Sequence, residues 1–205
     1  MMRLNLCALG AALLLAGCAS APPDHFYSLS NGIGASSAAA DRAASGTSAA
    51  PPYYIEVQAV SVPQQVARSQ LVVTQGAGRV DLLEQERWSA PLASEIGQAL
   101  SQAVTGELGV IDVFRTPTPD QAQIYRISTN VQRFESAPGQ YALMDAVWSV
   151  RAVGGAQVLT CRTIASEPVA AGYDALVAGH RRAVARLAAD IAKAIRSQAA
   201  GKGSC

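Results

Sequence analysis

The chain has 205 residues, half of them hydrophobic, with sixteen basic and fifteen acidic side chains and a formal charge of +1. Near neutrality excludes the broad basic face that neutralises several nucleic-acid phosphates, and the length suits one domain with a substantial core. With four cysteines, two histidines and no Cys-x-x-Cys or His-x-x-x-His spacing, the sequence encodes no recognisable metal site, and nothing in it calls for a cofactor.

Arg3 and the apolar run 4–16 have the order of a signal peptide, too short to cross a hydrocarbon core of about 30 Å as a helix. Leu15-Ala16-Gly17-Cys18 resembles the lipobox of bacterial lipoproteins, which implies cleavage after residue 17 and a diacylglycerol on the Cys18 thiol. Two or three acyl chains, at about 0.8 kcal/mol per buried methylene, anchor a protein stably. Ala19 and Ser20 stand where an Asp would signal retention, implying the periplasmic face of the outer membrane. Removing 1–17 takes away Arg3 and leaves fifteen charges of each sign. The one basic cluster, His180-Arg181-Arg182 with Arg186, lies between Asp174 and Asp190. It reads as a solvated helix face, with an anionic-lipid or partner patch as the alternative.

Further along, "HFYSLS" is a short strand candidate. Residues 31–52, almost all Ala, Ser and Gly with closing prolines, cannot bury enough apolar surface to order themselves. Segment 18–52 is therefore anchor, short strand and linker, and 53–205 the folded domain. "YYIEVQAV" places Tyr53, Ile55, Val57 and Ala59 on one face of a strand. "QLVVT" and "RVDLL" flank Gln75-Gly76-Ala77-Gly78, a hairpin turn that lacks the third glycine and following helix of a dinucleotide loop. Ser89 as N-cap and Pro91 in the first turn predict a helix over 90–105, its stripe Leu92, Ile96, Leu100 and Val104 facing a core. "VIDVF" follows as a short strand. Alternation over 125–131, over 142–152 and through "QVLTCRTI", interrupted by Pro138-Gly139 and Gly154-Gly155, predicts an antiparallel meander. Tyr173, Leu176, Val177, His180, Val184, Leu187, Ile191 and Ile195 then form the stripe of a long closing helix. The sum is an α+β fold, a mainly antiparallel sheet with two amphipathic helices packed on one face.

Chemistry is sparse. A Ser-His-Asp triad would have to recruit His180, and no Gly-x-Ser-x-Gly elbow occurs, so the expectation is a protein that is not an enzyme. Trp148 reads as core beneath a helix, whereas Trp88, beside Arg87 at a helix start, could pack on the sheet rim or face a partner. Cys7 leaves with the signal and Cys18 is acylated, so Cys161 and Cys205 are the remaining thiols in an oxidising compartment. A helix over 172–197 would overshoot Cys161 by about 20 Å, and the tail could reach back about 26 Å. A disulfide is one outcome; a small core residue at Cys161 and a mobile thiol at Cys205 are the other.

The order of pieces resembles the ABC-type transport auxiliary lipoproteins, the family of the third component of paraquat-inducible systems. The carrying residues are the lipobox at Cys18, "HFYSL", "VSVPQQVARSQLVV", "ERWSAPLASEIGQAL", "AVWSV" and "ALVAGHRRAVARLAADIAKAI". The chain departs from the family in flanking Arg68 with Ala67 and Ser69 in place of Asp and Pro. The resemblance implies a non-enzymatic docking subunit of an intermembrane lipid transport system. Its partners would be an MCE-domain protein and associated membrane components, and a homo-oligomeric ring would match their symmetry. Arg68, Arg87 and Trp88 are the candidate contact residues. A lipid-binding carrier, with an apolar groove between the final helix and the sheet, and a structural envelope lipoprotein are the alternatives.

Overall fold

The computed structural model describes residues 22–31, 52–76 and 78–205; Cys18 and nearly all of the low-complexity stretch lie outside them. Among the described residues, seven strands and two α-helices follow in the order β1 (His25–Tyr27), β2 (Tyr54–Val57), β3 (Gln70–Gly76), β4 (Arg79–Trp88), α1 (Leu92–Leu108), β5 (Ile124–Ala137), β6 (Tyr141–Ala152), β7 (Val158–Pro168) and α2 (Tyr173–Ala199). They build an α+β fold with two sheets, ordered β1-β4-β3 and β2-β5-β6-β7.

The expected meander is present as β5-β6-β7, paired antiparallel with Thr129 opposite Trp148 and Trp148 opposite Cys161. The expectation of one mainly antiparallel sheet is corrected: there are two sheets, and both are mixed. β1 runs parallel to β4, and β2 parallel to β5. The chain between β2 and β5 contains a hairpin and a helix, and such a crossover returns the chain in the same direction, as in any parallel connection. "VIDVF" contributes only an isolated bridge, Asp112 to Ile55, because the chain turns away immediately at 114–116.

The helices follow their stripes. In α1 the side chains of Leu92, Ile96, Leu100 and Val104 are buried, and in α2 those of Leu176, Val177, Val184, Leu187, Ile191 and Ile195. α2 lies across β6 and β7, and α1 packs beside it near β2. Gly179 permits the close approach, since a Cβ there would stand 2.3 Å from Val169 Cγ1 and 2.9 Å from the Ala142 Cβ. Ser89 does not cap α1; the cap position is Pro91, with no side-chain hydrogen bond. Trp148 is core: its Nε1 donates to Thr163 Oγ1 at 3.0 Å, and Thr163 donates to Asp190 Oδ2 at 2.7 Å, so the indole enters the interior fully paired.

On the opposite face of the four-stranded sheet, Arg162 grips Asp145 with Nε–Oδ1 2.8 Å and Nη2–Oδ2 2.6 Å. Hydrogen bonds from Arg162 hold that carboxyl below the usual range against the opposing effect of its burial.

Cys161 of β7 and Cys205 of the tail are joined by a disulfide, Cα to Cα 6.0 Å and 44 residues apart. The cross-link closes the overshoot of α2 by returning the tail to the sheet. Reduction of the unfolded chain's loop entropy over such a separation contributes about 2–4 kcal/mol. Cys205→Ser is expected to lower the urea unfolding free energy by roughly that amount; an unchanged midpoint would show that the tail frays without loading the fold.

His180 sits in the same interior, fully buried, and desolvation pushes its imidazole down to about 3. Above the ordinary value of about 6.5 neither state binds the proton; below it the unfolded chain does and the folded chain does not, so stability falls as pH falls until about pH 3. Between pH 7 and 5 this residue alone is expected to remove about 2 kcal/mol. His180→Gln should flatten that part of the stability-pH curve measured by urea titration, and superimposable curves would refute the assignment.

Candidate functional site

The segment that follows the expected lipid anchor is tied into the fold at its far end. Leu29, just after β1, is fully buried, and its N–H donates to Glu95 Oε2 at 2.7 Å. Ser28 Oγ donates to the same oxygen at 2.9 Å, and Ser89 Oγ to Oε1 at 2.6 Å. Glu95 stands in the first turn of α1, only 2% exposed, where the helix N-terminus favours a carboxylate. From the other helix, Arg181 donates to the Ser28 carbonyl through Nε at 3.2 Å and Nη2 at 2.7 Å. Along β1, Tyr27 donates its hydroxyl to Glu86 Oε2 at 2.5 Å, and His25 Nδ1 lies 2.9 Å from Oε1. Burial would raise the Glu86 carboxyl, but these hydrogen bonds bring it below its ordinary value.

Arg181 therefore has a structural partner that the expectation of a solvated basic face did not include. Arg182 pairs with Glu167 and the Pro168 carbonyl, and Arg186 approaches Glu167 at 3.9 Å, both arginines staying exposed on the helix face.

Of the three candidate contact residues, the structure brings Arg68 and Arg87 to one end of the three-stranded sheet, where Gln70 opposes Arg87 and the Trp88 N–H donates to the Ser69 carbonyl at 2.7 Å. Trp88 is corrected from a partner surface to core: at 4% exposure it packs edge-on to Phe134 and His180. Its place in the strand explains this, because residue 88 points inward once β4 has bulged between Leu83 and Arg87. Arg87 spans that bulge, donating from Nε to the Glu84 carbonyl at 2.7 Å. Arg68 alone of the three is exposed; its backbone N–H donates to the Val66 carbonyl at 2.8 Å, and its guanidinium has no partner among the described residues.

His180 stacks on Phe134 at 4.0 Å between centroids, and its Nε2 lies 2.8 Å from Ser136 Oγ. A serine and a histidine are thus in contact, but Nδ1, where a triad carboxylate would stand, has no partner, and both residues are buried. The pair is a packing contact between β5 and α2.

A concavity of about 440 Å³ lies elsewhere than between α2 and the sheet. It opens beside α1, bordered by Val60, Gly97, Gln98, Ser101, Asp112 and Phe114. Asp112 is fully engaged there, accepting from Ser101 Oγ at 2.6 Å, Phe114 N at 3.0 Å and Val57 N at 3.3 Å. Among the described residues there is no cluster of three metal-ligating side chains, and no helix is long and apolar enough to cross a membrane.

Sequence reasoning missed Glu95, which borders the α1 stripe three residues after Leu92; no local signal marks a buried carboxylate whose donors come from two distant segments. Glu95→Gln, which removes the charge from the shared acceptor, is expected to speed hydrogen exchange of the Leu29 amide by roughly tenfold or more. Unchanged exchange would show that burial alone holds the segment.

The profile of the family described as "ABC-type transport auxiliary lipoprotein component" matches residues 35–192. No curated protein sequence matches the chain. Two crystal structures share its fold. An uncharacterized protein superimposes with a TM-score of 0.64 at 16% identity, over 85% of this chain and 99% of its own. A protein from Xanthomonas campestris superimposes with a TM-score of 0.57 at 15% identity, over 76% and 93%. The matched span takes in the hairpin, α1, the whole meander and α2 as far as residue 192, and the chain belongs to the ABC-type transport auxiliary lipoprotein family.

Proposed function

We propose that this lipoprotein is a non-enzymatic docking subunit of an intermembrane lipid transport system, acylated at Cys18, held at the periplasmic face of the outer membrane and engaging an MCE-domain protein. The observation that carries this reading is the tie between the N-terminal segment and the fold. Glu95 and Arg181 fix the chain eleven residues after Cys18, so an anchored chain holds its domain at the membrane with little slack. A flexible tether would suit a carrier that must leave the membrane to collect cargo; a short fixed one suits a stationary receiver. The free guanidinium of Arg68, at the sheet end where β3 begins, is the group offered to the partner.

The concavity beside α1 favours the lipid-carrier alternative only by its volume. Gln58, Ser94, Gln98, Ser101 and Gln102 on its walls are polar, which acyl chains do not select.

Affinity capture of the full lipoprotein from detergent-solubilised membranes, beside a Cys18→Ala control, with mass spectrometry of proteins and lipids, tests both. An MCE-domain protein in the wild-type eluate is the expected result, with Arg68→Glu reducing its yield by roughly tenfold, as for loss of an interface charge pair. Abundant phospholipid without that protein would support the carrier instead, and undiminished capture by folded Arg68→Glu would remove the arginine from the interface.

A further inference from the structure

We infer that the outward face of the β1-β4-β3 sheet, at Phe26, Val80 and Leu82, rests on the bilayer that holds the acylated Cys18. The inference deepens the proposed function and rests on its lipidation of Cys18. Three observations carry it. First, only three residues lie between Cys18 and Pro22, which makes four residue steps from one to the other. At about 3.3–3.6 Å per residue they span at most about 14 Å, well under the dimensions of a domain with a radius of gyration of about 15 Å. The part of the surface beside the start of β1 is therefore kept close to the headgroups whatever the rest of the domain does.

Second, β1 is parallel to β4 and pairs with its last three residues. The chain approaching β1 from Pro22 consequently comes from the hairpin-turn side, where Val80 and Leu82 stand. Third, the register puts the apolar residues on one face. Gln70, Val72 and Thr74 alternate along β3 and oppose Arg87, Leu82 and Val80 of β4, and Arg87 pairs on its other side with Phe26 of β1. The inward set is Leu71 and Val73, both buried. Phe26, Val80 and Leu82 are 64, 52 and 43% exposed.

Charge says how the face is recruited. Arg79 and Arg87 are accompanied by Asp24, Asp81, Glu84 and Glu86, so no net positive field draws it to anionic lipid. The acyl chains bring the face to the membrane, and proximity then allows a weak apolar contact to form, as in any tethered second site.

The test uses the full acylated chain in vesicles of phosphatidylethanolamine and phosphatidylglycerol. With Cys18 acylated and Cys161 bonded to Cys205, an introduced cysteine is the one reactive thiol. Val80→Cys and Leu82→Cys carry a nitrobenzoxadiazole label, and Ile164→Cys, at a 56% exposed residue of the other sheet, is the control. Expected is a several-fold rise in emission at 80 and 82 on reconstitution, quenched by nitroxide-bearing lipids, with no change at 164. Equal responses at all three positions, or a rise that follows protein density rather than lipid, overturns the inference, the latter because a second copy would then be the cover. Flotation of the wild type with dark labels at 80 and 82 overturns the membrane face alone. A wild type that fails to float, or a Cys18→Ala chain that floats equally well, overturns the lipid anchor, and failure of the wild type to float takes the face with it.

Discussion

The carboxylate of Glu95 is where three pieces of chain with no local reason to meet are held together. One oxygen serves the Leu29 amide and the Ser28 hydroxyl, the other the Ser89 hydroxyl, and the helix that carries it is packed against α2. Buried carboxylates are tolerated only when donors satisfy them, so this one makes the position of β1 obligatory: without the segment the carboxylate would lose two of its three donors. The β1-β4 pairing, the inward turn of Trp88 and the burial of Leu29 all depend on that convergence. Because a short strand with three paired residues has little stability of its own, the polar cluster at its end does what a longer ladder would do elsewhere.

Local periodicity made a large part of this architecture legible. The stripes of α1 and α2 repeat for whole helices, and much of β6 and all of the buried part of β7 alternate because one face of each lies under α2. Alternation carries no information about which strand lies beside which. The split into two sheets and both parallel pairings therefore follow from long-range packing that no window of sequence contains. In β4 even the alternation fails: Glu84-Gln85-Glu86-Arg87 is polar throughout because the strand bulges there, which hid both its true length and the inward direction of Trp88.

The candidate contact residues divide along the same line. Arg68 lies exposed ahead of β3, whereas Arg87 and Trp88, expected at a helix start, form the end of a strand, one bracing a bulge and the other filling the core. His180 was legible as a member of the α2 stripe; its contact with Ser136 was not, since the two are 44 residues apart on different elements. The engaged states of Asp112, Asp145 and Glu86 show three acidic side chains used to hold loops and strands.

The parallel pairing of β1 has a mechanical meaning. Under the proposed acylation of Cys18 and docking at Arg68, a pull on the anchor, opposed by a partner at the other end of the sheet, draws β1 along its own axis, so the ladder bonds to β4 are loaded in shear and share the force. An antiparallel hairpin strand pulled from its free end would instead peel one bond at a time. The last resistance lies beyond the strand, at Leu29, where a buried side chain, Glu95 and Arg181 must all let go together. A domain joined to a membrane in this way can transmit tension from a bound partner to its acyl chains before its own fold begins to open.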